Sequence, residues 1–234
     1  MTAASRYTES DWGDVRLVVF DVDGTLYRQR PLRLRMARDI LLHTFLRRDL
    51  KVIAVLAEYR RIKERLSDEE IADFEPILIA KTAAATSSTL DSVQAIVSEW
   101  IDQRPLSYLA ACRYPKLPQL FAGLRRDGKC IGVFSDYPAR SKLRALELSA
   151  DYVAFAGDEG IGRLKPHPRT LEFLMSAAGV TSDHTVVIGD RVERDGLAAR
   201  RAGARVLIMS DKPIEGWQTF KTFGDPVFAR FLVS

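Results

Sequence analysis

The stretch "VVFDVDGTLY", Val18–Tyr27, carries the most information in this 234-residue chain. Apolar, mostly β-branched residues run into Asp21, and a second carboxylate, Asp23, follows before Gly24 and Thr25 turn the chain. An unbroken apolar run of strand length is the mark of a strand covered on both faces, as in a parallel sheet. Two like charges at the end of such a strand need a reason.

Working outward, the runs Val15–Phe20, Cys130–Phe134, Thr185–Ile188 and Ala204–Met209, with a weaker one at Tyr152–Phe155, have the same character. Between them lie helical patterns over Ala139–Leu148, Arg169–Ala178 (stopped by Gly179) and Asp195–Arg201. This alternation predicts a three-layer, doubly wound α/β fold with a parallel sheet. Residues 28–114 break the rhythm with helix formers at mixed three and four spacings, and the prolines of "YPKLP" mark the return. A helical insert over 28–114 therefore divides a core made of 1–27 and 115–234.

The length suits one such domain with its insert. A net charge of +4 fits anionic small molecules and is too weak to indicate nucleic acid. Two separated cysteines, Cys112 and Cys130, point to a reducing compartment. The leading "MTAASRYTESDWGD" lacks a signal peptide's apolar segment, and the greasiest stretch, Leu41–Ala57, is interrupted by "RRDLK". The expectation is a cytoplasmic protein with no nucleic-acid or membrane partner.

In open α/β sheets, ligands bind beyond the carboxyl ends of the strands. Those ends carry Asp21 and Asp23, then Ser135 and Asp136, then Asp190, with Asp195 five positions on and Lys165 on a preceding loop. Two unit charges about 4 Å apart repel by about 4 kcal/mol at an effective dielectric of 20. A hard divalent cation reverses that sign, and Mg²⁺ takes carboxylate, water and phosphate oxygens. Asp21 and Asp190, from different strands, suit such a clamp, with Lys165 offsetting the remaining charge.

Four elements in order, "DVDGT" (Asp21–Thr25), Ser135 after a strand, "KPHP" (Lys165–Pro168) and "GDRVERD" (Gly189–Asp195), resemble the haloacid dehalogenase-like hydrolase superfamily. The insert sits where that family carries a helical cap. The resemblance implies a Rossmann-like core and a Mg²⁺-dependent phosphomonoesterase acting through an aspartyl-phosphate. Its substrate would be a small phosphorylated metabolite, such as phosphoglycolate or a sugar phosphate. It implies Asp21 as nucleophile and Asp23 as the acid and base that serves the leaving group and the water. The metal would be held by the Asp21 side chain, the Asp23 carbonyl and Asp190. Ser135, the Asp136 N–H and Lys165 would hold phosphoryl oxygens, and Asp195 would orient Lys165 or a metal-bound water. With the metal favouring ionised Asp21, Asp23 would be the carboxyl free to keep a proton. A sugar phosphomutase shares every one of these residues, and a non-catalytic protein that kept the fold is the reading from another class.

Blander readings stand beside these. Asp195 also fits the first-turn acid of a helix, and Ser135 fits a helix cap. His43, His167 and His184 are scattered, which disfavours a histidine metal site. Trp100 and Phe45 read as core. Among the arginines of 28–48, Arg33 shares a helical stripe with Met36 and Ile40 and is the candidate contact for a second anionic group on the substrate.

Overall fold

The computed structural model describes residues 12–233; the expectation for the leading segment concerns residues that lie largely outside them. Six strands form one parallel sheet: β1 (Leu17–Phe20), β2 (Cys130–Ser135), β3 (Tyr152–Phe155), β4 (Thr185–Gly189), β5 (Arg205–Met209) and β6 (Thr219–Phe220). Their order is β3-β2-β1-β4-β5-β6. The chain leaves β1 for one side and returns to the other, so the topological switch point lies between the carboxyl ends of β1 and β4.

Alternation along the strands builds three layers. Val18 and Phe20 of β1 face a core shared with Leu120, Phe121 and Leu143, from α6 (Leu117–Arg126) and α7 (Arg140–Ala145). Leu17 and Val19 face the opposite core, shared with Leu171 and Leu174 of α8 (Arg169–Ala178) and Ala198 of α9 (Leu197–Arg201). Because both faces are covered, every residue of β1 and β4 is buried. The sheet and helices have the predicted three-layer α/β architecture.

Between β1 and α6, which leads into β2, lie five helices: α1 (Gln29–Arg47), α2 (Lys51–Asp68), α3 (Phe74–Ala85), α4 (Leu90–Val97) and, after a wide π-turn at Ser98–Gln103, α5 (Leu106–Cys112). The chain enters and leaves this segment at one place, where Arg28 N–H donates to the Cys112 carbonyl at 2.9 Å and Tyr114 N–H to that of Leu26 at 3.2 Å. Val55, Tyr59, Ile62 and Leu66 of α2 pack with Phe74 and Leu78 of α3 in a separate apolar cluster that reaches Ala156 and Leu164 of the core loops.

Three details differ from the sequence reading. The helix expected over Ala139–Leu148 spans only Arg140–Ala145, because the chain turns back at Glu147, which has a positive φ of 55°. The last helix starts at Leu197, not Asp195, because residues Val192–Gly196 form a π-turn. Trp100 is buried as expected, but Phe45 is 80 % exposed: among the described residues, no element covers the outer side of α1. Beyond β5, the final segment closes the sheet edge with β6 and an aromatic cluster of Trp12, Phe220, Phe223, Phe228 and Phe231, the last on α10 (Ala229–Leu232).

Candidate active site

β1 ends at Asp21, whose N–H still pairs with the Ile188 carbonyl at 2.9 Å, so its buried carboxylate is carried on a rigid strand end. The turn after it needs glycine. Gly24 has φ +112°, and a Cβ there would lie 2.2 Å from Asp190 Oδ2. Thr25 Oγ1 donates to Asp21 Oδ2 at 2.9 Å. The other oxygen accepts from Lys165 Nζ, which also donates to Asp195 Oδ1 at 2.8 Å. Lys165 is itself buried, with its ammonium 3.9 Å from the centre of the Phe134 ring.

Asp195 is a structural organiser as well as a partner of Lys165. Its Oδ2 accepts the backbone N–H groups of Asp190 and Arg191 at 3.1 and 3.0 Å, which shapes the loop after β4. It lies before α9, whose first turn holds no acid, so it is not the first-turn acid that the sequence also allowed. Carboxylate oxygens of Asp21, Asp190 and Asp195 all lie within 4.8 Å of one another. Both oxygens of Asp195 already have donors. Asp190 Oδ1, by contrast, is buried with no hydrogen-bond partner among the described residues. Burial first, and then the Asp195 charge, push the Asp190 carboxyl up to about 7. An orphaned hard oxygen beside a second carboxylate fits a divalent cation held by Asp21 and Asp190.

Asp23 faces a different set of groups. Lys142 of α7 holds both its oxygens, at 2.6 and 2.8 Å, and the Tyr27 hydroxyl donates to one of them. Burial would raise the Asp23 carboxyl, but Lys142 more than offsets this and holds it below the usual carboxylate range. For Asp21 burial wins over Lys165, with the neighbouring carboxylates adding to it, and its carboxyl is raised. Among protein groups alone the two proton affinities are therefore the reverse of the sequence expectation, because the reading did not contain Lys142.

A model of the haloacid dehalogenase-like hydrolases matches residues 15–203 of this chain. The chain belongs to that family. It is 24 % identical over 202 residues to a phosphoglycolate phosphatase of Pseudomonas fluorescens, covering 83 % of this chain and 69 % of the relative. A phosphoglycolate phosphatase of Vibrio parahaemolyticus is 26 % identical over 208 residues, covering 81 % of each. These relatives place it among the phosphatases of the family. The fold matches a 2-haloacid dehalogenase from Pseudomonas syringae with a TM-score of 0.62 at 22 % identity, over 93 % of this chain and 99 % of that one. It also matches the Bacillus subtilis hydrolase YfnB bound to magnesium, with a TM-score of 0.64 at 13 % identity, over 90 % and 96 %.

For this haloacid dehalogenase-like phosphatase, Asp21, Lys165, Asp190 and Asp195 meet in one buried cluster. Ser135 is buried at the end of β2, where its Oγ accepts the Tyr137 N–H at 3.1 Å; it caps no helix, since α7 starts five residues later. Asp136 Oδ1 accepts the Lys165 N–H at 3.1 Å, tying the two loops together. Arg33 is exposed on α1 and donates to Gln29, whose amide in turn donates to the Asp23 carbonyl. It stands one residue removed from the carboxylates.

Two lysines were not singled out in the sequence. Lys142 sits on the helix that follows the Ser135 strand end. Lys63 of α2 is buried, donates to the Asp136 carbonyl, and lies 3.2 Å from the centre of the Tyr137 ring. A signal for Lys63 existed: it shares one helical face with Tyr59, Ile62 and Leu66, an odd place for an ammonium. Burial lowers its pKa to about 8. Arginines 191 and 194 clamp the same helix from the core side, Arg194 reaching Glu64 and Asp68 at 2.6 and 2.7 Å and Arg191 reaching Glu64 at 3.2 Å. A cleft of about 580 Å³ opens elsewhere, beside the start of α3. Asp73, Glu75, Asp158 and Glu159 line it together with Arg163, His167 and Arg169, and none of Asp21, Asp23, Lys165 or Asp190 is on its wall.

Proposed function

We propose that this phosphatase hydrolyses small phosphomonoesters with Mg²⁺, through an aspartyl-phosphate on Asp21. The single observation that carries this is the buried Asp21–Lys165–Asp195 chain of charged groups beside the unpartnered oxygen of Asp190. In the first step an Asp21 oxygen forms a bond to phosphorus as the ester P–O bond breaks, and the departing oxygen takes a proton by way of Asp23. In the second, water gives its proton to Asp23 and its oxygen to phosphorus, which frees Asp21 and inorganic phosphate. Lys165, Ser135 Oγ and the Asp136 N–H hold the phosphoryl oxygens. Asp21, Asp190 and the Asp23 carbonyl would hold Mg²⁺, which would supply positive charge to the transferring group. Residues 28–114 act as a cap over a core of 1–27 and 115–234, with α2 bringing Lys63 to the cleft.

The leaving group faces Lys63 and Lys142. Among the described residues, Lys63 has no carboxylate within ion-pair distance, so a second anionic group on the substrate would complete its environment. This favours phosphoglycolate or an acidic sugar phosphate, in keeping with the sequence relatives. A small metabolite as substrate and two free cysteines suit a cytoplasmic enzyme. The test is phosphate release from a panel of phosphomonoesters with Mg²⁺ and with EDTA. Metal-dependent release is expected, highest for acidic substrates; no release from any member would overturn the reading.

A further inference from the structure

Helix α1 is apolar on two opposite sides. Leu32, Met36 and Ile40 turn inward and pack into the main core. At 100° per residue, Leu34, Leu41 and Phe45 fall about half a turn away, with Leu42 and Leu46 adjoining them. This outer side is bare: Leu41, Phe45 and Leu46 are 63, 80 and 76 % exposed. Leu50 and Ile53, beyond the turn into α2, continue the patch at the tip of the helical hairpin. Seven of the ten most exposed large apolar side chains lie within residues 34–53, a density that isolated surface leucines do not produce.

The charge is just as uneven. Residues 28–53 hold eight arginines and lysines against two aspartates, a net +6 in a chain whose total is +4. Everything else sums to −2. At the tip itself, Arg47, Arg48 and Lys51 are exposed around Phe45, Leu46 and Leu50.

We propose that the α1–α2 hairpin docks the protein peripherally on an anionic phospholipid surface. Exposed apolar side chains bordered by long basic ones are what an interfacial helix needs: the first enter the acyl boundary while the second stay at the headgroups. Basic residues near such a surface add attraction that depends on salt. Charge decides against a second copy of this chain as the occupant, since a two-fold contact through the tip would set the exposed Arg47, Arg48 and Lys51, offset only by Asp49, against the same residues of the other copy. No described helix is long and apolar enough to cross a membrane, so the contact is with the surface. The inward side of α1 stays in the core, and docking requires no unfolding. The sequence reading expected no membrane partner and placed Phe45 inside; the structure has Phe45 outside, beside exposed leucines.

The test is co-sedimentation of the full chain with vesicles of phosphatidylcholine alone, and of phosphatidylcholine and phosphatidylglycerol in equal parts. Binding to the mixed vesicles is expected, weakened by salt, with little to the neutral ones. Phe45→Ser with Leu46→Ser should lower partitioning about a hundredfold, and Arg47→Gln with Arg48→Gln about tenfold. Both pairs lie away from the carboxylates, so hydrolysis of p-nitrophenyl phosphate in solution and the unfolding midpoint report that each variant is folded. Failure to pellet with mixed vesicles overturns the proposal, as does pelleting that either pair of substitutions leaves unchanged. A dimer on gel filtration that Phe45→Ser and Leu46→Ser dissolve, without lipid binding, would assign the face to a second copy instead. None of these outcomes bears on the hydrolytic reading.

Discussion

Replacing Lys63 with methionine tests the electrostatics of the cleft in isolation. The substitution keeps the length and apolar stem of the side chain and deletes only the ammonium. Lys63 is 6 % exposed, and its charged end has a carbonyl and the Tyr137 and Phe74 ring faces for company. Burial lowers its pKa from 10.5 to about 8, with the attraction of Asp136 offsetting part of that and Lys142 adding to it. The folded protein therefore binds this proton more weakly than the unfolded chain. The cost is present in full below pH 8 and disappears as pH rises from 8 towards 10.5. At 1.36 kcal/mol per unit, the full cost is about 3 kcal/mol.

Relative to Lys63→Met, which has no such proton, wild-type stability should thus rise by about 2–3 kcal/mol between about pH 7 and pH 10. Urea unfolding followed by tryptophan fluorescence at the two pH values measures the difference. If wild type and variant show parallel pH dependence, Lys63 is not a buried, desolvated ammonium and the account of the cleft fails. The same variant should also lose selectivity. A charge-assisted contact contributes about 1.5–3 kcal/mol, so kcat/KM for phosphoglycolate relative to p-nitrophenyl phosphate should fall roughly 10- to 100-fold. A purely structural loss would lower both substrates together.

Asp21→Asn should remove turnover by several orders of magnitude with the circular dichroism spectrum unchanged, since it deletes the attacking carboxylate and keeps the hydrogen-bonding shape. Mg²⁺ should raise the unfolding midpoint of the wild type, and EDTA should reverse this. Asp190→Asn should abolish the shift, because it removes the charge of a carboxylate whose Oδ1 has no hydrogen-bond partner among the described residues and is left for the metal. Gly24→Ala should destabilise the protein by more than about 1 kcal/mol and weaken the Mg²⁺ response, since its Cβ would sit 2.2 Å from Asp190 Oδ2 at a φ of +112°. Urea midpoints with and without Mg²⁺ check both effects.

The parts of this molecule legible in the sequence are those that local pattern encodes. Strands buried on both faces announce themselves as apolar runs, and their ends carry the carboxylates because that is where the chain leaves the sheet. β6 was not legible: it is a two-residue pairing, held by aromatic packing of Phe220 on Phe223 and Phe228 rather than by any periodicity of its own. The π-turn before α9 was not legible either, because the bonds that define Asp195 run to backbone groups of its own loop. Lys142 and Lys63 lie 119 and 73 positions from the groups they contact, and only the folded chain brings them there. Phe45 and its leucine neighbours failed for the opposite reason: hydrophobicity was read as burial, whereas the fold leaves that side of α1 without a cover.

Two carboxylates at the end of one strand are tolerable because each has its own lysine from a different element. Lys165 comes from the loop ahead of α8 to Asp21, and Lys142 comes from α7 to Asp23. The repulsion that bare charges would feel, about 4 kcal/mol were they about 4 Å apart, is thereby replaced by two local pairs. The pairs are not equivalent. Lys165 also answers to Asp195, so Asp21 can become an acyl phosphate without leaving the ammonium unpaired. Lys142 has both contacts on Asp23 alone, so protonating Asp23 frees it to turn towards the leaving group. This division yields a prediction about leaving groups. Asp23→Asn should slow alkyl phosphates far more than nitrophenyl phosphate, by about 10²–10⁴-fold against a smaller loss, because an activated phenolate departs without a proton. Mg²⁺ affinity should change little, since only the Asp23 carbonyl is assigned to the metal. The measurement is the alkyl-to-nitrophenyl rate ratio in wild type and variant, with a Mg²⁺ titration alongside. An unchanged ratio with lost Mg²⁺ affinity would make Asp23 a side-chain ligand, and the proton would have to come from elsewhere, Lys142 and Tyr27 being the donors that contact Asp23.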